Sequence, residues 1–226
     1  MTLLRFFVHR HLAALLLACA PALAWAIGDV GIVAHVSGEV SYAAGTPAAT
    51  GRPKPFMELR EGDRFELAPG AQLRIVYFDG GRQESYSGPA SLVTGAQRSA
   101  IVVGAAPKVS HLPSGVPQKL SQAPELIEIA RLGRTATAAP PAAQRPARLT
   151  PQQQAEVREA RDTYRKLRAS TVAEDILPEL YLYSVLQDHL LYAQMRPVVA
   201  EMARRQPGSD AVALMVDYVR VKTGIE

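Results

Sequence analysis

Cysteine is almost absent. The single Cys19 leaves no pair to form an intramolecular disulfide, so stability must come from packing. No His/Cys cluster has the spacing of a zinc site, and no run of alternating Asp/Asn matches a calcium loop. Walker-type and dinucleotide-type glycine loops are missing, as is any Gly-x-Ser-x-Gly elbow. Beyond residue 26 the only histidines are His35, His111 and His189. None of the three sits beside a recognisable nucleophile. The Ser110-His111 neighbourhood says little about geometry. The longest apolar run, Leu12 to Ala20, is too short to span a bilayer. Excess charge is lacking too: 25 basic against 21 acidic residues, a net +4, gives no footprint for nucleic acid.

The N-terminus reads as an address. Arg5 and Arg10 precede the apolar run, and Ala24-Trp25-Ala26 is a small-x-small cleavage site. Residues 1–26 are therefore expected to be a cleavable signal peptide that sends the chain to the periplasm. Its removal takes two positive charges from the total. Cys19, after Leu16-Leu17-Ala18, resembles a lipoprotein box, so a lipid anchor there is the alternative. Cleavage after Ala26 ranks ahead of it, because the apolar character continues past Cys19. With 48% hydrophobic residues and a mean hydropathy of -0.00, the remainder has the composition of a folded protein.

From residue 27 to 105 the pattern is short strands separated by turn pairs. Val30, Ile32, Ala34 and Val36 alternate with Gly31, Val33 and His35, predicting a strand buried mainly on one face with His35 toward solvent. Ser37-Gly38 turns it back through Glu39 to Tyr42. Ala43 to Pro55 reads as a loop. Phe65 and Leu67 alternate with Arg64 and Glu66, and Pro69-Gly70 suits a type II turn. Ala71, Leu73, Ile75 and Tyr77 share one face. Val76 and Phe78 on the other imply that this strand is covered on both sides at its far end. Asp79-Gly80-Gly81 and Gly88-Pro89 close the next turns, and Ser99 to Val103 is a last apolar strand. Asp63, Asp79 and Glu84 lie in or beside turns and read as turn residues.

The order Val-x-x-Val-Ser-Gly-Glu-Val (33–40), Leu-Arg-Glu-Gly-Asp-Arg-Phe (59–65), Leu-Arg-Ile-Val-Tyr-Phe-Asp-Gly-Gly (73–81) and Gly-Pro-Ala-Ser-Leu (88–92) resembles a FecR-type periplasmic domain over about residues 30–104. That resemblance implies a β domain that binds other proteins and, in the regulators of the family, relays a signal to a sigma factor. The regulators carry a cytoplasmic helical segment and a transmembrane helix before the β domain. Here the signal peptide stands directly in front of it, which puts the sigma-factor role in doubt.

Residues 106–150 are rich in proline and alanine and read as a linker with one short amphipathic helix at 125–132, expected to dock on the β domain; a partner-binding peptide is the alternative. The remainder, 151–226, reads as three or four helices. Thr150-Pro151-Gln152-Gln153 is a capping box, and Asp162 is placed to pair with Lys166. Further helices are expected from about Ile176 to Asp188, Leu190 to Arg205, and Ser209 to Gly224. Pro197 either kinks the third or marks its start. Leu182, Leu186, Met195, Val199, Met202 and Pro207 resemble one tetratricopeptide repeat, although Tyr183 and Met195 occupy its usual small positions.

The expected fold is thus an all-β domain, an antiparallel sandwich or roll of seven or eight short strands, followed by a small α-helical domain: α+β by segregated modules. No residue is assigned as catalytic, cofactor-binding or metal-ligating, and no cofactor is expected. The function read from this is a non-enzymatic periplasmic scaffold for envelope proteins. A carbohydrate- or peptidoglycan-binding module of the envelope is the alternative; it would need exposed aromatics on a flat face. No nucleic acid and no transmembrane helix in the mature chain are expected. The tyrosines, Tyr181, Tyr183, Tyr192 and Tyr218 among them, read as core or boundary packing.

Overall fold

The computed structural model describes residues 28–45, 49–135 and 149–224. The signal-peptide segment, Cys19 and most of the Thr135–Ala147 stretch lie outside these residues. Two antiparallel five-stranded sheets are followed by helices. The first sheet has the order β10(Lys108–His111), β7(Arg82–Ser87), β6(Gln72–Tyr77), β1(Gly31–Ser37), β4(Glu58–Leu59). The second runs β3(Thr50–Gly51), β2(Val40–Ala43), β5(Arg64–Leu67), β8(Ala90–Thr94), β9(Ser99–Val103).

Alternation explains the first core. Val33, Leu73, Ile75 and Tyr77 of one sheet share a buried cluster with Val40, Phe65, Leu67 and Leu92 of the other. Each fully buried side chain of this size stabilises by roughly 1.5–3 kcal/mol. Gly70 takes φ +79° in the turn between β5 and β6, a conformation that glycine adopts without steric cost.

β1 and most of β6 are buried on both faces, which corrects the one-faced reading of β1. Gly31, Ile32, Val33 and Ala34 are all buried, and the second face, carrying Ile32, Ala34 and Val76, belongs to the helical core. Val76 is fully buried, in line with the two-sided cover its apolar neighbours imply. In contrast, β9 has the composition of a core strand but lies at a sheet edge, with Val102 62% and Val103 60% exposed.

Six helices are present among the described residues: α1(Val116–Leu120), α2(Ala123–Thr135), α3(Pro151–Ser170), α4(Leu177–Asp188), α5(Tyr192–Arg205) and α6(Asp210–Thr223). The capping box forms at Thr150 with Gln153, Ser209 caps α6, and Gly224 ends it with φ +65°. α4 is the centre: every residue from Leu177 to Leu186 is buried, as expected for a helix enclosed on all sides. Tyr183 and Met195, at the small positions of the tetratricopeptide-like pattern, are fully buried. Pro197 lies inside α5. No described helix is long and apolar enough to cross a membrane.

Much of the stretch read as linker is ordered structure. Residues 108–111 add strand β10 to the first sheet, and α1 and α2 follow. The prolines misled because they sit where helices accept them: Pro117 and Pro124 are each the second residue of a helix, where the missing N–H has no intrahelical partner to lose. α2 is longer than residues 125–132 and packs chiefly against α6 rather than on the β domain. A Cβ on Gly133 would lie 2.6 Å from Cδ2 of Tyr218, so glycine permits that close approach.

Candidate functional site

The three histidines sit on three separate elements. His189 follows α4, with Nε2 3.2 Å from Glu156. His111 is exposed on β10. His35 is half-buried, which corrects the solvent-facing expectation, and the cause is a β-bulge between Val33 and His35. The extra residue shifts the alternation, so His35 lies opposite Arg74 on the helix-covered face. No group of three or more His, Cys, Asp or Glu is placed to hold a metal among the described residues.

The carboxylates have structural partners. Asp63 is buried and accepts the N–H groups of Arg60 at 2.9 Å and Gly45 at 3.1 Å, the backbone role expected of a turn aspartate. Asp79 accepts from Gln97. Glu84 departs from the turn reading: it lies in mid-strand β7, fully buried. It accepts from Arg82 at 2.6 Å, the Tyr86 hydroxyl at 2.8 Å and the Ser99 N–H at 3.2 Å. The Tyr77 hydroxyl lies 2.8 Å from Ser99 Oγ. This network pins the start of β9 to β7 and β6. Burial pushes the Tyr77 hydroxyl up to about 12, and burial likewise raises Tyr86.

Sheet and helices meet at a charged joint that sequence reasoning missed. Arg74 pairs with Asp175 of the α3–α4 loop, a carboxylate with no exposed surface. Asp175 also accepts the Leu177 N–H at 2.8 Å, and Arg74 donates from Nε to Ser85 Oγ at 3.1 Å. Burial pushes the Asp175 carboxyl up, against the downward pull of Arg74. His35 joins this group: burial lowers its pKa below the usual 6.5, Asp175 opposes that, and Arg74 adds to it. An arginine inside an otherwise apolar strand was the one available signal. Nothing local pointed to its partner 101 residues away.

The His35 shift gives a pH expectation. With a lowered folded pKa, the unfolded chain binds more protons. The His35 contribution is complete above about pH 6.5 and is lost as pH falls toward the folded value. Asp175, raised, works with the opposite sign: its contribution is lost as pH rises. Comparing the protein with His35→Gln separates the two. Between about pH 7.5 and 5.5 the melting temperature should fall more, or rise less, in the parent than in the variant; identical profiles would remove His35 from the account.

A concave feature lies between helices. A groove of ≈ 650 Å³ is lined by α3, α4 and α5. Leu182, Leu186 and Val198, all buried, face it, with Pro197 beside them. Arg158, Arg161 and Arg165, all exposed, form its rim. Arg161 donates to Gln194 at 2.6 Å and Arg165 to Asp162, while Arg158 has no ion-pair partner among the described residues. Asp162 therefore pairs one residue earlier than expected, and Lys166 is left out. An apolar floor under a guanidinium rim can hold a segment that combines an apolar side chain with carboxylates. No family model, curated protein or solved structure matches the chain.

Proposed function

We propose that this protein is a non-enzymatic, exported scaffold of the periplasm that binds an envelope protein through an acidic segment with an apolar anchor. The arginine-rimmed groove carries this reading: its floor offers burial for the anchor, and its rim offers charge-assisted hydrogen bonds to the carboxylates. A FecR-like origin of the β domain draws support from where its motif pieces fall. The Val33–Val40 piece spans the β1–β2 turn, the Gly62-Asp63 pair is a turn held by a buried aspartate, and β6 runs into Asp79-Gly80. The tight joint between sheet and helices makes the two modules one scaffold. The glycan-binding alternative lacks its stacking platform, since no Phe, Tyr or Trp side chain among the described residues is exposed.

Photo-crosslinking from Arg161 in intact cells should capture a defined envelope protein. Its affinity for the purified chain should fall by about tenfold or more in Arg158→Glu/Arg161→Glu, and more steeply with salt in the parent. An affinity for the captured protein that Arg158→Glu/Arg161→Glu leaves unchanged, or turnover of an envelope substrate by the isolated chain, would sink the proposal.

A further inference from the structure

A second cleft, of ≈ 410 Å³, lies where the uncovered columns of the first sheet meet the last turns of α3. The helices cover the β1 and β6 columns with an apolar core, through Ile32, Ala34 and Val76. Across β7 and β10 the same face turns polar. The pairings Ser85 with Lys108 and Gln83 with Ser110 place four polar side chains side by side on it. Lys166, Ser170 and Thr171 line the facing wall, and His111 lies at the margin.

Its charge is one-sided: none of the residues that line the cleft is acidic. Arg74 is already neutralised by Asp175. Lys108 and Lys166 have no ion-pair partner among the described residues, and Lys166 is the cation that Asp162 leaves free by pairing with Arg165. Leu112, Pro113 and Leu167 complete the lining. Two lysines without ion-pair partners, one on each wall of a cleft that has no acidic residue, are a site for an oxyanion.

The hydroxyls refine the ligand. Ser170 Oγ donates to the Leu167 carbonyl at 3.1 Å and Thr171 Oγ1 to the same carbonyl at 2.6 Å. With their protons engaged, both oxygens present lone pairs and can accept from ligand hydroxyls. Ser85 Oγ already accepts from Arg74, so its proton is free to donate. Cations for an acid group beside acceptors for hydroxyls match a small acidic sugar. We infer that this cleft binds a monosaccharide-sized ligand bearing one carboxylate or phosphate, with Lys108 and Lys166 holding the acid group and Ser170 and Thr171 accepting from its hydroxyls. This site lies on the other side of α3 from the arginine groove and does not depend on it.

The purified chain would be titrated calorimetrically with glucuronate, glucose 6-phosphate, inorganic phosphate and glucose, at low and high salt. Saturable, salt-sensitive binding of glucuronate or glucose 6-phosphate is expected; whichever binds more tightly identifies the acid as carboxylate or phosphate. Glucose should not bind, and inorganic phosphate should bind at least about tenfold more weakly than the better sugar acid. Lys108→Gln/Lys166→Gln should weaken that binding by about tenfold or more with an unchanged melting temperature in the absence of ligand, since both lysines are exposed. Lys166→Glu alone should abolish it. Absence of binding by both sugar acids, equal binding of glucose or of inorganic phosphate, or lysine variants that bind like the parent would each overturn the inference.

Discussion

Replacing Glu179 with alanine is expected to lower the unfolding free energy by ~3–5 kcal/mol, the usual cost of breaking a buried ion pair from one side. Glu179 lies in the first turn of α4 and has no exposed surface. It accepts from Arg168 Nη1 at 3.1 Å and from the Tyr164 hydroxyl at 3.2 Å, and Arg205 Nε stands 3.3 Å away. The two arginine side chains are only 16% and 14% exposed; Arg205 keeps a second carboxylate, Glu201, 2.5 Å from its Nη2, so it is Arg168 that is left without a carboxylate when Glu179 is gone. Arg168 also donates to the carbonyls of Asp175 and Thr171, at 2.6 and 2.9 Å, and Arg205 to that of Ala173 at 2.6 Å. Loss of Glu179 therefore loosens the loop that carries Asp175. Glu179→Gln keeps the shape and one acceptor and should cost less than Glu179→Ala. Urea unfolding followed by circular dichroism reads both; an alanine variant within about 1 kcal/mol of the parent would show that the arginines find other partners.

The second large effect is expected at the joint between sheet and helices. Asp175→Ala leaves the Arg74 guanidinium, 15% exposed, without its carboxylate and also removes the acceptor for the Leu177 N–H. A loss of ~3–5 kcal/mol follows from the first and about 1 from the second. At Asp175 desolvation opposes the attraction of Arg74, and a buried pair in general contributes little net stability. The large number belongs to breaking it, not to having it. A cycle with Arg74→Met tests this. The double variant should recover part of the loss, with a coupling energy in the upper part of the ~0.5–3 kcal/mol range for residues in direct contact. Hydrogen exchange gives a second readout: in Asp175→Ala the amides of α4 should lose protection before those of β6, because the charged tie between the two is gone. Additive single effects and uniform exchange would show that the apolar contact among Ile32, Val76 and the helices joins the modules unaided.

Legibility along the chain tracked the range of the interaction that sets each feature. Thr150, Ser209 and Gly224 announce helix ends because a cap is a contact between near neighbours. The hairpin from β6 through Asp79-Gly80-Gly81 is visible for the same reason. Neither lining of the two clefts was visible. Arg158 and Arg161 carry no local mark of a rim, and Lys166 reads as the partner of Asp162. Only the packing of α4 and α5 on one side, and of β7 and β10 on the other, turns those faces into walls.

The amino-acid pattern by itself determined the strands and turns from Gly31 to Val103, the helices after Thr150, and that two kinds of module follow one another, since periodicity and capping are local; it did not reveal β10, α1 or the full length of α2. Tertiary structure decided what each face meets. It made β1 and β6 a shared floor for two cores, left β9 bare at an edge, turned His35 inward at a bulge, and joined Arg74 to an aspartate far along the chain. Such outcomes depend on which distant surfaces exclude water from a given side chain. No window of neighbouring residues contains that information.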